Sequence, residues 1–306
     1  MNDNSIVSII IATKNRQTIL NETLFKALNA IEDYPIEIIV INDGDNLNNT
    51  ITHPKIQYLN NSKKGVSTAR NLGASTAKSD ILLFLDDDMW ISKETIKAIE
   101  IIKNKIDLNN NVICLNWEYP EILEQQLNLS KIGRLILNAE YHTMKGRINR
   151  NLLWNNAFEK IEGIGSCSFL IKKNTFNEIG KYNESIVFQG EDIDISKRLF
   201  EYKITIFAYT PITCYHNHQD RIDIEGYIDR EFRGYASQAI AEKNQLIVNQ
   251  FKDRFSIKNN IYKALLPLDF FFIFMYKIIP NTKYFDIISF KIIGILGAMQ
   301  KLKAYK

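Results

Sequence analysis

Three apolar runs fix what the first third of the chain can become: IVSIII from Ile6, EIIVI from Glu37 and ILLFL from Ile81. Polar residues do not alternate through them, so each strand needs cover on both faces. Helical patterns lie between and after them. In QTILNETLFKALNA, the residues Ile19, Leu20, Thr23, Leu24, Ala27 and Leu28 share one face. STARNLGASTAK reads as a second helix and KETIKAIEIIKNK as a third, with Ser92 as its cap. Alternating buried strands and helices predict an α/β fold with a mostly parallel sheet flanked by helices. VICLNWE, CSFLIKK and ITIFAY read as further strands, with mixed signals over residues 120–160 that suggest a loop or helical insertion over the site. From Arg221 the pattern is helical and ends in two very apolar, aromatic stretches.

Each of the early runs ends in polar residues: Ala12-Thr13-Lys14-Asn15-Arg16, Asn42-Asp43-Gly44-Asp45 and Asp86-Asp87-Asp88. In open α/β sheets, ligands sit outside the carboxyl ends of the strands. One cleft would therefore collect several carboxylates with a few basic groups. Such a group suits a hard cation, Mg²⁺ or Mn²⁺, that leaves positions open for phosphates. Each motif alone has a plainer reading, because an Asp cluster after a strand is often a turn plus a helix cap. Their occurrence after successive strands favours a site. Neither G-x-G-x-x-G nor G-x-x-x-x-G-K-[ST] occurs, so a glycine loop is not the expected phosphate cradle.

Composition excludes little. The 306 residues are 45% apolar and 24% charged with a formal net charge of +3, ordinary for a globular chain and too mild to call for nucleic acid. The three cysteines are an odd number with no C-x-x-C pair, which argues against a disulfide framework and for a reduced, cytoplasmic setting. The N-terminal segment reads as a buried strand and not as a secretory signal.

Four motifs, in order, carry a family resemblance: VSIIIATKNR, EIIVINDGD, KKGVSTARNLGASTAKSDILLFLDDD and GSCSFLIKKNTFNEIGKYNESIVFQGEDIDISKRL. Together they resemble family 2 glycosyltransferases of the GT-A fold over about the first 220 residues. The resemblance implies a glycosyltransferase domain over 1–220, with a nucleotide-binding half (1–105), an acceptor half (106–220) and a helical extension (221–306). It departs from the usual pattern at Ala12, Lys14, Asn42, Asn183 and Met89.

The resemblance also implies roles. Asp88 would hold a divalent metal, Mn²⁺ or Mg²⁺, on the diphosphate of a nucleotide-sugar donor. Asp86 would touch the ribose or help hold the metal, with Asp87 as the middle position between them. Asp43 would meet the base, uracil in many members, or would be a turn residue beside Gly44. Arg70 would line the cleft, or be a solvated helix charge. Ala12, Thr13, Lys14 and Arg16 would line the same edge, with surface charge as the other reading for the two basic groups. Asp192, at the start of a helix over about 193–200, would be the base of an inverting transfer, kept ionised by the helix N-terminus; the plain reading is an N-cap. Glu191 would orient the acceptor or a nearby base. His216, or alternatively His218, would sit near the metal or diphosphate, with a surface or core histidine as the other reading for each. Gly163 and Gly165 would admit the acceptor or form a simple turn, and Trp154 would stack on a sugar or belong to the core.

The expected function is metal-dependent, inverting transfer from a nucleotide-sugar, UDP-linked, to a glycan or lipid-linked acceptor in surface polysaccharide synthesis. A catalytically impaired binding or scaffold subunit and a sugar-phosphate nucleotidyltransferase are the alternatives. The aromatic segment 261–306 would meet the cytoplasmic face of the inner membrane, or pack on the catalytic domain or a second subunit.

Overall fold

The computed structural model describes residues 7–48, 51–165, 167–187, 189–217, 223–243 and 257–305. Nine strands among them form one mixed sheet: β1 (Ser8–Thr13), β2 (Glu37–Asn42), β3 (Ile56–Asn60), β4 (Ile81–Asp86), β5 (Met89–Ile91), β6 (Asn111–Glu118), β7 (Phe158–Lys160), β8 (Ser168–Lys172) and β9 (Thr205–His216). The order is β3-β2-β1-β4-β8-β6-β9-β5, with β7 added to β9. Strands β1, β2, β3 and β4 run parallel, whereas β8 is antiparallel to both β4 and β6. The three expected runs therefore open on one edge. Thr13 stands beside Asn42, and Ala12 beside Asp86.

Helices α1 (Gln17–Ala30), α2 (Val66–Thr76) and α3 (Lys93–Lys105) occupy the predicted stretches. Helix α1 buries Leu20, Thr23, Leu24, Ala27 and Ala30, while Ile19 and Leu28 are only half-covered. Ser92 caps α3, its backbone N–H donating to Thr95 Oγ1 at 3.0 Å. The strands are near zero exposure through Ile9, Ile39 and Phe84, as double-sided cover requires. Phe84 anchors an aromatic core with Phe169, Phe176 and Tyr182 at ring separations of 5.0, 5.1 and 5.5 Å.

The remaining helices are α4 (Glu121–Asn128), α5 (Lys131–Asn138), α6 (Met144–Asn149), α7 (Lys173–Glu178), α8 (Glu191–Glu201), α9 (Ile224–Lys243), α10 (Ile257–Leu265), α11 (Asp269–Ile278) and α12 (Asp286–Ala304). The chain divides into two compact units. The first contains the chain up to Tyr119, Thr143–Val187 and Glu191–Asn217. The second holds Pro120–His142 with the C-terminal helices, so residues 120–142 group with those helices and not with the rest of the expected 1–220 domain. The reason is chemical. Arg134 of α5 forms a bidentate ion pair with Asp286 of α12, at 2.7–3.0 Å, and also donates to Asn281 Oδ1 and the Asn128 carbonyl. Lys131 donates to the carbonyls of Tyr276 and Ile279, capping the end of α11. Ile132, Tyr276, Ile292, Ile293 and Leu296 form the apolar core beneath. No helix among the described residues is long and apolar enough to cross a membrane.

Candidate active site

The polar ends of β1, β2 and β4 are short turns whose geometry explains their residues. At the end of β2, Asn42 Oδ1 accepts from the Gly44 N–H at 3.0 Å, and Asn42 Nδ2 donates to the Asp45 carbonyl at 2.7 Å. An amide can do both; a carboxylate could not donate, which accounts for Asn42 where the family pattern has Asp. A Cβ on Gly44 would lie 2.0 Å from Asn15 Oδ1. Asp43 is 5% exposed, and its Oδ1 accepts from Asn61 Nδ2 (2.6 Å) and the Gly65 N–H (2.9 Å). Gly65 has φ +131°, a conformation open to glycine and strained for other residues. Lys14, a mostly exposed side chain, reaches 3.4 Å from Asp43 Oδ2.

The aspartate triplet is not three equivalent charges. Asp86 is the most open, and its carboxylate receives Arg70 Nη2 at 2.8 Å. Asp87 turns inward to 5% exposure, accepting from Thr13 Oγ1 at 2.6 Å and Arg16 Nη1 at 2.5 Å. Its backbone carbonyl also accepts from Thr23 Oγ1. The middle position, Asp87, is thus a buried anchor. Burial, then the charge of Asp88, pushes its carboxyl up to about 7, with Arg16 and Thr13 pulling the other way. Asp88, at 1% exposure, receives the second guanidinium nitrogen of Arg16 at 2.9 Å. Arg16 therefore clamps two neighbouring carboxylates and is not a surface charge.

His216 reaches Asp88 through sheet pairing. The short strand β5 runs antiparallel to β9, setting Met89 opposite His216, and the Asn217 N–H donates to the Asp88 carbonyl at 2.7 Å. Imidazole Nε2 lies 3.2 Å from Asp88 Oδ1. The ring packs edge-on to Trp117 and Tyr119, at 4.9 and 5.7 Å. A register shift between β6 and β9 on either side of Asn116 re-aims Trp117 onto that ring. Met89 is fully buried, so a charge at that position would be desolvated. His218 lies outside the described residues.

Two donors bound side by side at about 2.1 Å from one small cation lie about 3 Å apart. Asp88 and His216 come close to that spacing. Among the described residues no cluster of three or more His, Cys, Asp or Glu could hold a metal. The pair instead suits a cation that takes its other ligands from phosphate and water. Asp86, held by Arg70, is placed apart from this pair in its bonding.

Arg70 links the strand edge to α8. Its Nη1 donates to Glu191 Oε1 at 2.8 Å while Nη2 serves Asp86, and its guanidinium lies 5.3 Å from the Tyr182 ring centre. Burial works against the Arg70 charge, but Tyr182, Asp86 and Glu191 outweigh it, so the guanidinium is held firmly protonated. Asp192 is next in sequence, in the first turn of α8, where its Oδ1 accepts from the Ile193 N–H at 2.8 Å. The helix N-terminus does not dominate as expected. Burial first, and then the charge of Glu191, push Asp192 up to about 6.

Asp192 also borders a cavity of about 1320 Å³ between α8 and the segment around β7. Gly163 is in its wall; a Cβ there would come 3.3 Å from Ser196 Oγ. At Gly165 a Cβ would meet nothing within 4 Å, so space and not steric exclusion surrounds it. Trp154 is half-buried and is not among the lining residues.

The glycosyl transferase family 2 model matches residues 8–180, more than half of the chain and including the ends of β1, β2 and β4. The chain belongs to glycosyl transferase family 2. This family 2 glycosyltransferase is 26% identical over 292 residues to a hyaluronan synthase of Pasteurella multocida, covering 86% of this chain and 28% of that protein. It is 28% identical over 229 residues to a chondroitin synthase of P. multocida strain Pm70, covering 65% and 23%. The chain thus spans about a quarter of the length of these relatives. The crystal structure of GalNAc-T7 with UDP, GalNAc and Mn²⁺ shares the fold, with TM-score 0.51, 14% identity, and coverage of 69% of this chain and 42% of that one. The fold is GT-A.

Nothing in the sequence marks Asn61, Thr23 and Trp117 for these roles. Asn61 directly follows the half-exposed edge strand β3, Thr23 looks like one more core-facing helix residue, and Trp117 is aimed only by the register shift.

Proposed function

We propose that this family 2 glycosyltransferase moves a sugar, with inversion, from a UDP-linked donor to a hydroxyl of a glycan or lipid-linked acceptor in surface polysaccharide synthesis. One observation carries the reading. Asp192 is joined to the donor edge through Glu191, Arg70 and Asp86, with both Arg70 contacts at 2.8 Å. The link through its neighbour Glu191 supports reading Asp192 as a proton acceptor beside the strand ends where a diphosphate would lie.

Asp88 and His216 would hold the divalent cation, Mn²⁺ or Mg²⁺. Such a cation supplies Lewis-acid stabilisation to a departing diphosphate. Asp43 and Lys14 face the base and ribose end of the cleft. Asp192 takes the acceptor hydroxyl proton as that oxygen attacks the anomeric carbon opposite the leaving group, through an oxocarbenium-like state. A carboxylate with pKa about 6 is a stronger base than an ordinary aspartate and is still ionised at neutral pH. Glu191, paired with Arg70, serves to position Asp192. The names of the two synthase relatives support a glycan product, and the GalNAc-T7 complex supports UDP and a cation.

The test is a donor screen that follows release of nucleoside diphosphate with and without Mn²⁺. Asp192→Asn should retain donor binding and lose about 10²- to 10⁴-fold in transfer. Transfer that survives the substitution removes Asp192 as the base. Failure of any sugar nucleotide to bind in the presence of Mn²⁺ removes the transferase reading itself.

A further inference from the structure

The second unit presents an apolar surface that its own core does not use. On α11, Phe270, Phe274 and Ile278 recur every four residues and are 66, 57 and 56% exposed. That spacing makes one stripe. Around the turn into α12 the exposure continues through Tyr284 (94%), Ile287 (69%) and Ile288 (50%). The opposite side of α11 is already satisfied, with Tyr276, Phe272 and Ile273 packed into the core of this unit.

Charge identifies the partner. Residues 257–306 contain eight lysines and two aspartates, a net of +6, whereas the whole chain is +3. Both aspartates are engaged internally, Asp269 by Lys303 and Asp286 by Arg134. Lys283 and Lys291 remain exposed, one beside Tyr284 and the other within a turn of Ile287 and Ile288. A second copy of this face would bring like charges together. Protein interface cores favour aromatics but are depleted in lysine. Aromatic stripes bordered by lysines instead match the boundary between acyl chains and anionic headgroups, where rings insert and ammonium groups reach the phosphates.

We propose that the α11 stripe and the turn into α12 form a docking face for an anionic lipid surface. The helices lie on the surface, since no helix among the described residues is suited to crossing it. The face holds no residue of the candidate active site, so its test is independent of donor and metal chemistry.

The experiment is co-sedimentation of the full chain with vesicles of phosphatidylcholine alone and with vesicles in which about one lipid in three is phosphatidylglycerol. We expect partitioning at least about tenfold stronger onto the anionic vesicles, weakening as salt is raised. Phe270→Ser with Phe274→Ser should abolish it, and Lys283→Glu with Lys291→Glu should remove the anionic preference. Because these side chains are exposed, melting curves should match wild type; Tyr284→Ser with Ile287→Ser provides a second test on the turn should the first pair misfold. Equal partitioning onto both vesicle types overturns the proposal, as does no binding to either. Vesicle-independent self-association that the same substitutions abolish also overturns it, and assigns the face to a second copy.

Discussion

Both units bury an arginine against carboxylates, but the charge balance differs. In the helical unit one guanidinium meets one carboxylate. Arg134 saturates Asp286, and its remaining donors go to Asn281 and the Asn128 carbonyl. At the strand edge of the other unit, Arg16 and Arg70 face four carboxylates: Asp86, Asp87, Asp88 and Glu191. The first arrangement is closed and fixes how helices pack. The second carries surplus negative charge and raised carboxyl pKa values, the condition under which a cation and a reacting proton have a use. Burial of an ion pair is thus a poor sign of a site, and imbalance around it a better one.

Making the same substitution in both places tests that contrast most severely. Arg134→Met should cost the helical unit about 3–5 kcal/mol, because Asp286 is left buried and uncompensated. Added Mn²⁺ should not restore it. Arg16→Met also strands buried carboxylates, Asp87 and Asp88, but there Mn²⁺ should recover much of the loss by binding them. Thermal melts with and without Mn²⁺ read both outcomes. Equal behaviour of the two variants toward Mn²⁺ would erase the distinction.

A smaller effect separates the two carboxylates themselves. Asp88→Asn should weaken Mn²⁺-dependent UDP binding by about 10- to 100-fold, a loss typical of damage to a metal's ligand environment. Asp286→Asn should leave that binding unchanged in whatever fraction remains folded. Calorimetric titration of UDP with and without Mn²⁺ distinguishes them, and equal UDP affinity in Asp88→Asn and wild type would remove Asp88 from the cation site.

The contrast also marks how far sequence could be read. Strands β1, β2 and β4 are legible because each is apolar throughout, and their parallel pairing follows from the helices between them. Edge strand β3 is half-exposed and lacks that signature. Strand β5 is three residues long, yet it is what sets His216 opposite Met89 and beside Asp88. The aspartates are visible as a motif; their division of labour is not, because Thr13, Arg16 and Thr23 approach Asp87 from distant chain positions. Likewise, nothing local in α5 announces a partner 152 residues away.

The smallest expected effect concerns Asp192, the proposed proton acceptor. With Asp192 pushed up to about 6, transfer should be flat above that pH and fall about tenfold per unit below it, as the base becomes protonated. Burial is the larger cause of the raised value and the Glu191 charge the next. Glu191→Gln removes that charge while keeping an oxygen that can accept from Arg70. The acid limb of the pH–rate profile should then move to lower pH by less than about one unit, with the neutral-pH rate reduced only modestly. A group that merely shaped α8 would change the rate at all pH values and leave the limb in place. A limb that stays fixed in Glu191→Gln but vanishes in Asp192→Asn would keep the base and discard its coupling to Glu191. A limb unmoved by either substitution would place the titrating group elsewhere in the cleft.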